Sequence, residues 1–110
     1  MTDNDKVPEL SSAAEFDDFT KEGVVLIDFF AEWCMPCMMM SPIIDDLSEK
    51  LKGKVKFAKV NVGEGGQDLA QKYNVSSIPN FTVFKDGKMA EQFVGSMTEE
   101  DIEEKLKKLI

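Results

Sequence analysis

The two cysteines of the chain, Cys34 and Cys37, lie three positions apart in the stretch AEWCMPC. Positions i and i+3 at the start of a helix share one face, so the two sulfur atoms are close enough for a small-ring disulfide. The unpaired N–H groups and the positive end of the helix dipole stabilise a thiolate in the first turn. Pro36 falls in this turn, where its missing N–H costs little. The spacing therefore favours a redox couple in which Cys34 attacks and Cys37 resolves the mixed disulfide.

Two other interpretations of the cysteines are weaker. Free cysteines often pack in cores, but Cys34 follows a buried strand where it runs into a helix, and such strand ends face a crevice. A structural zinc site needs about four ligands. The chain offers two thiols and no histidine, so zinc or an iron–sulfur cluster would have to bridge two chains or recruit carboxylates. We expect neither a metal nor a bound cofactor.

Asp28 and Lys59 are charged residues inside two otherwise apolar stretches, VVLIDFFA and VKFAKVNV. A buried carboxylate without a partner is costly, so Asp28 should have a raised pKa or an ionic partner. Asp28 stands six residues before Cys34, on the strand that leads to the helix, and could accept the proton of Cys37. Lys59 is a candidate partner of Asp28. The alternatives are a structural ion pair, or side chains that point outward at strand ends.

Strands and helices alternate around these residues. The apolar run GVVLIDFFA predicts a strand covered on both faces, and KVKFAKVNV predicts a second strand. Helical spacing precedes the first strand in SSAAEFDDF and follows it from Cys34 to Lys52. A further short helix is predicted through Leu69, Ala70 and Tyr73.

The last third of the chain predicts a hairpin and a closing helix. FTVF and MAEQFVG flank Asp86-Gly87, a strong hairpin signal, so these two strands should be antiparallel. Thr98 with Asp101 resembles a capping box at the start of the last helix. The whole pattern predicts an α/β fold with a central mixed β-sheet flanked by helices on both faces.

Size and charge narrow the class of protein. At 110 residues the chain is expected to form one domain, residues 1–110, with residues 1–6 flexible. The net charge of −8 repels phosphate backbones, so nucleic-acid binding is not expected. No apolar run reaches the roughly 18 residues that span a bilayer, so no membrane association is expected. MTDNDK shows no secretory signal, which predicts a cytoplasmic protein.

Four stretches together carry a family resemblance: VVLIDFFAEWCMPC, SPIIDDLSEKLKGKVKFAKVNV, YNVSSIPNFTVFKDGK and FVGSMTEEDIEEKL. Their Trp-Cys-X-X-Cys, Ile-Pro and hairpin segments come in the order and spacing of the thioredoxin family, which the chain resembles over nearly its whole length. The resemblance implies the thioredoxin fold and thiol–disulfide exchange with disulfide-containing protein substrates. By position, Cys34 matches the attacking cysteine, Cys37 the resolving cysteine, Asp28 the buried acid and Lys59 its lysine neighbour.

The resemblance also implies a surface for substrates. Pro79 matches the cis-proline that lies beside the cysteine pair in the family. Trp33, Ile78 and Gly95 match the rim on which substrate polypeptides lie. Met35 and Pro36, between the cysteines, belong to the same candidate substrate-binding surface.

Four positions depart from the family pattern. Phe30 stands where tryptophan is often found, Met35 where glycine is usual, Met38 where lysine is usual, and Asn80 where threonine is common. The helical phase puts Met38 on the polar stripe of its helix, so we expect it to be exposed. With Trp33 and Met35 it would form an apolar collar around Cys34, suited to varied apolar surfaces. Core packing suits Met40 and can include Met39.

The sequence therefore predicts a monomeric protein-disulfide reductase that a separate thioredoxin reductase, or an equivalent electron donor, restores to the dithiol. A thioredoxin-fold oxidase or isomerase is the alternative within the same chemistry, and the redox potential separates it from a reductase. A protein-binding module with incidental thiols is the alternative outside it. Such a module would keep its partner after Cys34→Ser, whereas a reductase would lose turnover.

Overall fold

Helices and strands alternate along residues 7–110, the part of the chain that the computed structural model describes. The expected flexibility of residues 1–6 falls outside this range. Along the chain the elements are α1 (Ala13–Thr20), β1 (Val24–Phe30), α2 (Met35–Lys50), β2 (Val55–Asn61), α3 (Gln67–Lys72), β3 (Asn80–Lys85), β4 (Lys88–Val94) and α4 (Glu99–Lys107).

The four strands form one mixed sheet in the order β2-β1-β3-β4. β1 runs parallel to β2 and antiparallel to β3, and β3 runs antiparallel to β4. The β3–β4 turn places Asp86 and Gly87 at φ values of 51° and 87°, the left-handed region that two-residue hairpin turns require. The predicted mixed sheet and hairpin are confirmed.

Alternate residues of β1 pack on opposite faces of the sheet, as strand geometry requires. Val24 and Leu26 belong to a core cluster that α2 and α4 cover, through residues such as Met40 and Ile102. Val25, Ile27 and Phe29 belong to a second cluster, which includes Phe16 of α1 and Leu69 of α3. Helices therefore flank both faces of the sheet, as the sequence predicts.

Side-chain caps fix the starts of three helices. Ser12 accepts a hydrogen bond from the N–H of Glu15, and Thr98 accepts one from the N–H of Asp101, at 3.2 and 3.1 Å. Cys34 is the N-cap of α2. Within residues 7–110, no helix is both long enough and apolar enough to cross a membrane.

Candidate active site

Cys34 and Cys37 are joined by a disulfide at the start of α2, with their Cα atoms 5.2 Å apart. Cys34 is the N-cap residue, in an extended backbone conformation, and Cys37 lies in the first turn of the helix. The N–H of Cys37 donates a hydrogen bond to the Sγ atom of Cys34 at 3.2 Å. Pro36 is the second helical residue, where no intrahelical hydrogen bond is lost. The helix start thus directs an N–H donor at one of the two sulfurs and leaves the other buried beneath it.

Both cysteines pack in a small cluster with the end of β1. Phe30 and Ala31 are the other buried members, and the partly buried side chain of Ile78 packs against them. The Ile78–Pro79 peptide bond is cis, the conformation that the resemblance implies for this proline. The segment before β3 therefore comes to lie beside the disulfide.

Gly95 lies next to Pro79 in the fold. Its N–H donates a hydrogen bond to the carbonyl oxygen of Pro79 at 2.8 Å. Gly95 has a φ of 98°, a conformation that favours glycine. The structure thus links the segment after β4 to the segment before β3, although the two are separated by the hairpin in sequence.

Large apolar side chains are exposed around the disulfide. Trp33, Met35 and Met39 have exposed fractions of 75%, 69% and 71%, and Met38 has 36%. Pro36 is also exposed. The expectation that Met39 can join Met40 in the core is wrong, because Met39 lies on the outer side of α2 with Met35 and Pro36, four and three positions earlier.

Met38 also lines a groove beside α2. This groove of about 330 Å³ lies on the β2 side of α2, and its lining residues are Val7, Pro8, Glu9, Phe30, Glu32, Met38, Ser41 and Lys59. The predicted exposure of Met38 is confirmed, but it is half that of Met35. Phe30 and Met38, two departures from the family pattern, therefore meet at the same groove.

Asp28 is buried in the middle of the sheet. It follows Leu26 and precedes Phe30 on alternate positions of β1, so its side chain is on the face that α2 covers. Its Oδ1 atom has no hydrogen-bond partner. Burial raises the pKa of Asp28 from its usual 3.8 to about 7, and the positive charge of Lys59 only partly opposes this. The predicted raised pKa is therefore found, and Asp28 can hold or release a proton near neutral pH.

Lys59 lies opposite Asp28 on the neighbouring strand but does not form the ion pair considered from the sequence. The two residues are Cα partners in the parallel β1–β2 ladder. The Nζ atom of Lys59 instead donates a hydrogen bond to Ser41 Oγ at 3.1 Å and lies 5.6 Å from the centroid of the Phe30 ring. The ammonium group is therefore bonded to α2, while its charge still lowers the pKa of Asp28.

Sequence reasoning missed a second buried polar group, on the other face of the sheet. Thr82 Oγ1 donates a hydrogen bond to Asn80 Oδ1 at 2.8 Å and accepts one from Gln92 Nε2 at 3.0 Å. Gln92 Nε2 also donates to the carbonyl oxygen of Tyr73 at 3.0 Å. This chain, which we call the Asn80 network, begins directly after Pro79. Thr82 interrupts the apolar run FTVF as Asp28 interrupts its own strand, but a threonine is a much weaker signal of a buried polar group than a charge is.

No cluster of three or more histidine, cysteine, aspartate or glutamate side chains is arranged to hold a metal ion among residues 7–110. The site combines the sulfur pair, the protonatable carboxyl group of Asp28 and a rim of exposed apolar side chains.

Comparisons with known proteins identify the family of the chain. The thioredoxin family model matches residues 7–108. The chain is 42% identical over 103 residues to the thioredoxin of Bacillus subtilis, covering 94% of each chain. It is 41% identical over 95 residues to the thioredoxin of Staphylococcus aureus, covering 86% of this chain and 90% of that one.

Solved structures of thioredoxins superimpose closely on the fold. A mutant thioredoxin from Halobacterium salinarum gives a TM-score of 0.86 at 32% identity, covering 99% of this chain and 96% of that one. The oxidised mitochondrial thioredoxin 3 of Saccharomyces cerevisiae also gives 0.86 at 32% identity, covering 94% and 95%.

The fold and the Cys34–Cys37 disulfide at the start of α2 define a thiol–disulfide oxidoreductase. The chain belongs to the thioredoxin family, and its activity is that of a protein-disulfide reductase.

Proposed function

We propose that Cys34 is the attacking thiolate, that Cys37 resolves the mixed disulfide, and that Asp28 takes the Cys37 proton. The observation that carries this assignment is the hydrogen bond from the N–H of Cys37 to Cys34 Sγ, 3.2 Å long. In the reduced protein the same N–H and the helix dipole stabilise negative charge on Cys34 and lower its pKa. Cys37 receives no comparable donor from the described residues.

The reaction then runs in two exchanges. The thiolate of Cys34 attacks one sulfur of the target disulfide, the target S–S bond breaks, and the second target sulfur leaves as a thiolate. Cys37 gives its proton to the Asp28 carboxylate and attacks Cys34, which releases the first target sulfur. The target gains two electrons, and Cys34 and Cys37 lose two as their disulfide forms.

Asp28 suits the resolving step because its pKa of about 7 lets both protonation states exist near neutral pH. Asp28 and α2 occupy the same side of the sheet. Lys59, bonded to Ser41, is assigned a supporting role in which its charge limits the rise in the Asp28 pKa.

Protein substrates are proposed to lie across the exposed rim of the disulfide. Trp33, Met35, Pro36 and Met38 supply apolar contacts on one side. Ile78, Pro79 and Gly95 supply the other side, where Gly95 is hydrogen-bonded to Pro79. Flexible methionine side chains adapt to different apolar partners, so the surface favours a broad set of protein disulfides.

We further propose that the chain acts as a single-domain cytoplasmic monomer, and that a separate reductase supplies its electrons. A dithiol reductant needs a compartment that keeps thiols reduced. The rim of the disulfide would serve the reductase and the substrates in turn.

Trapping experiments test the assignment of the two cysteines. Cys37→Ser should accumulate mixed disulfides on Cys34, because the resolving thiol is absent. Cys34→Ser, the matched variant, should lose insulin reduction and should accumulate far less mixed disulfide than Cys37→Ser. Equal trapping by both variants, seen by non-reducing electrophoresis and mass spectrometry, would refute the assignment.

The equilibrium potential of the Cys34–Cys37 couple tests the direction of the reaction. Thiol trapping across defined redox buffers at about pH 7 should give a value close to −270 mV, the value typical of thioredoxin. A value of about −180 mV or higher, the range of disulfide isomerase and DsbA, would instead support the oxidase or isomerase alternative.

A further inference from the structure

Three exposed methionines lie together at the start of α2, and we call Met35, Met38 and Met39 the methionine cluster. Met35 is three and four positions from the other two, a spacing that brings side chains together on a helix surface. All three are exposed, whereas the next residue, Met40, is buried with an exposed fraction of 2%. Their thioether sulfurs are therefore open to reagents in solution.

In the disulfide state these thioethers are the accessible reactive sulfurs of the site. Cys34 and Cys37 are bonded to each other and both are buried, so neither offers a thiolate to an oxidant. Oxidation of methionine depends on access to the sulfur and yields a polar, chiral sulfoxide. Oxidising conditions, which keep the cysteines in this disulfide, would also favour oxidation of the thioethers.

We propose that the methionine cluster is a modification site, where peroxides form methionine sulfoxide and thereby weaken the binding of protein substrates. The inference rests on the proposed substrate-binding role of this rim. In the step itself, the thioether sulfur attacks one peroxide oxygen, the O–O bond breaks and an S–O bond forms. The sulfur loses two electrons, hydrogen peroxide is reduced, and its other oxygen leaves as water.

The physical effect is a change in polarity, not in the redox couple. A sulfoxide oxygen is a strong hydrogen-bond acceptor, and burying it against an apolar substrate without a donor is unfavourable. No thioether takes part in the exchange between Cys34, Cys37 and a target disulfide. Oxidation should therefore lower affinity for protein disulfides and leave the reaction with small disulfides nearly unchanged. Methionine sulfoxide reductases reverse the modification, so the effect can be transient.

Mapping of the oxidised sites is the first experiment. The disulfide form is treated with graded hydrogen peroxide, and sulfoxides are located by peptide mass spectrometry. Met35 and Met39 should be oxidised first, Met38 next, and Met40 last, in the order of their exposure. Oxidation of Met40 before the methionine cluster would overturn the assignment of the site.

Kinetics before and after peroxide form the second experiment. After reduction by dithiothreitol, kcat/KM for insulin should be roughly five- to tenfold lower in the oxidised protein, mainly through KM. The rate with dithiobis(nitrobenzoate) should stay within about twofold, because this small disulfide needs little of the rim.

Two variants locate the effect. In the triple variant Met35→Leu, Met38→Leu, Met39→Leu, insulin reduction with and without peroxide should be equal, whatever the starting value. Met89→Leu removes an exposed methionine at the other end of the sheet, in β4, and should behave as the wild type does in both states. A loss that persists in the triple variant, or no loss in the fully oxidised wild type, would overturn the inference. A wild type that fails to reduce insulin before peroxide would instead overturn the proposed function, and the inference with it.

Discussion

The two faces of the sheet differ in the hydrogen bonding of their buried polar side chains. On the α2 face, Asp28 Oδ1 has no hydrogen-bond partner, and the pKa of the carboxyl group is raised to about 7. On the other face, Asn80, Thr82 and Gln92 satisfy one another at 2.8 and 3.0 Å. Asn80 and Thr82 are as deeply buried as Asp28.

This difference separates a group that titrates near neutral pH from groups that do not titrate there. A buried carboxyl group with an unpartnered oxygen lowers the stability of the fold at neutral pH, but it can exchange a proton in that pH range. The Asn80 network titrates nowhere near neutral pH, and it holds the start of β3 directly after the Ile78–Pro79 segment. In the proposed mechanism, the first face supplies the proton acceptor and the second holds the segment beside the disulfide.

The largest expected effect is that of Asp28→Asn on stability at neutral and higher pH. Between about pH 4 and pH 7 the folded protein keeps the Asp28 proton, whereas the unfolded chain has released it. The wild-type free energy of unfolding should therefore fall as pH rises through this window. The shift from 3.8 to about 7 corresponds to on the order of 4 kcal/mol. Asp28→Asn lacks this titration and should be more stable than the wild type by about that amount at pH 8 and similar to it near pH 4.

Urea unfolding of both proteins across this pH range measures the difference. Asp46→Asn is the control, because it removes an exposed carboxylate from α2 and should stay within about 0.5 kcal/mol of the wild type. Parallel curves for wild type and Asp28→Asn would contradict the comparison between the two faces. If Asp28 takes the Cys37 proton, as proposed, the same variant should also resolve mixed disulfides roughly ten- to a hundredfold more slowly.

Sequence reasoning singled out the buried polar residues of the α2 face and missed those of the other face, for a physical reason. Asp28 and Lys59 are conspicuous because charges rarely lie inside apolar strands. Thr82 gives the same kind of interruption, but threonine is common in strands, so its burial beside Asn80 does not stand out. The Lys59–Ser41 hydrogen bond joins β2 to α2 across 18 residues, and only the packing of the helix on the sheet brings the two atoms together.

The fold itself could be predicted from the periodicity of apolar residues and from the residues that favour turns and caps. The Asp86-Gly87 hairpin and the Thr98 cap depend on residues close in sequence, and both were predicted correctly. Met39 was misassigned because the MMM run has no internal contrast between apolar and polar positions. Its exposure is set by the orientation of α2 against the sheet, a tertiary property.

A smaller loss is expected from Thr82→Val, which keeps the shape of the side chain and removes its hydroxyl group. Asn80 Oδ1 loses its donor while it stays buried, so the free energy of unfolding should fall by about 1–3 kcal/mol. Unlike the effect of Asp28→Asn, this loss should be the same at every pH between about 4 and 8, since no titrating group is removed. The KM for insulin should rise, because the Pro79 segment is held less firmly.

Thr20→Val is the matched control for that variant. Thr20 is also buried, and its hydroxyl donates to the carbonyl oxygen of Phe16 at 3.0 Å. That carbonyl keeps its intrahelical hydrogen bond after the substitution, so the loss should be smaller. A larger loss from Thr20→Val, or a pH-dependent loss from Thr82→Val, would count against the role of the Asn80 network.

The smallest expected effect is that of Ser41→Ala, which removes the hydrogen-bond acceptor of the Lys59 ammonium group. Loss of one partly buried hydrogen bond to an ammonium group should cost about 0.5–1.5 kcal/mol. The charge of Lys59 lowers the pKa of Asp28, and Asp28 is its partner on the neighbouring strand, so an ammonium group released from Ser41 should lower that pKa further. The pH at which stability stops falling should therefore move downward. Ser48→Ala, which removes a hydroxyl bonded to the carbonyl of Asp45 on the same helix, should leave that pH unchanged. An upward movement in Ser41→Ala would mean that Ser41 holds the lysine near the carboxylate, so that the bond supports ionisation of Asp28 and does not limit it.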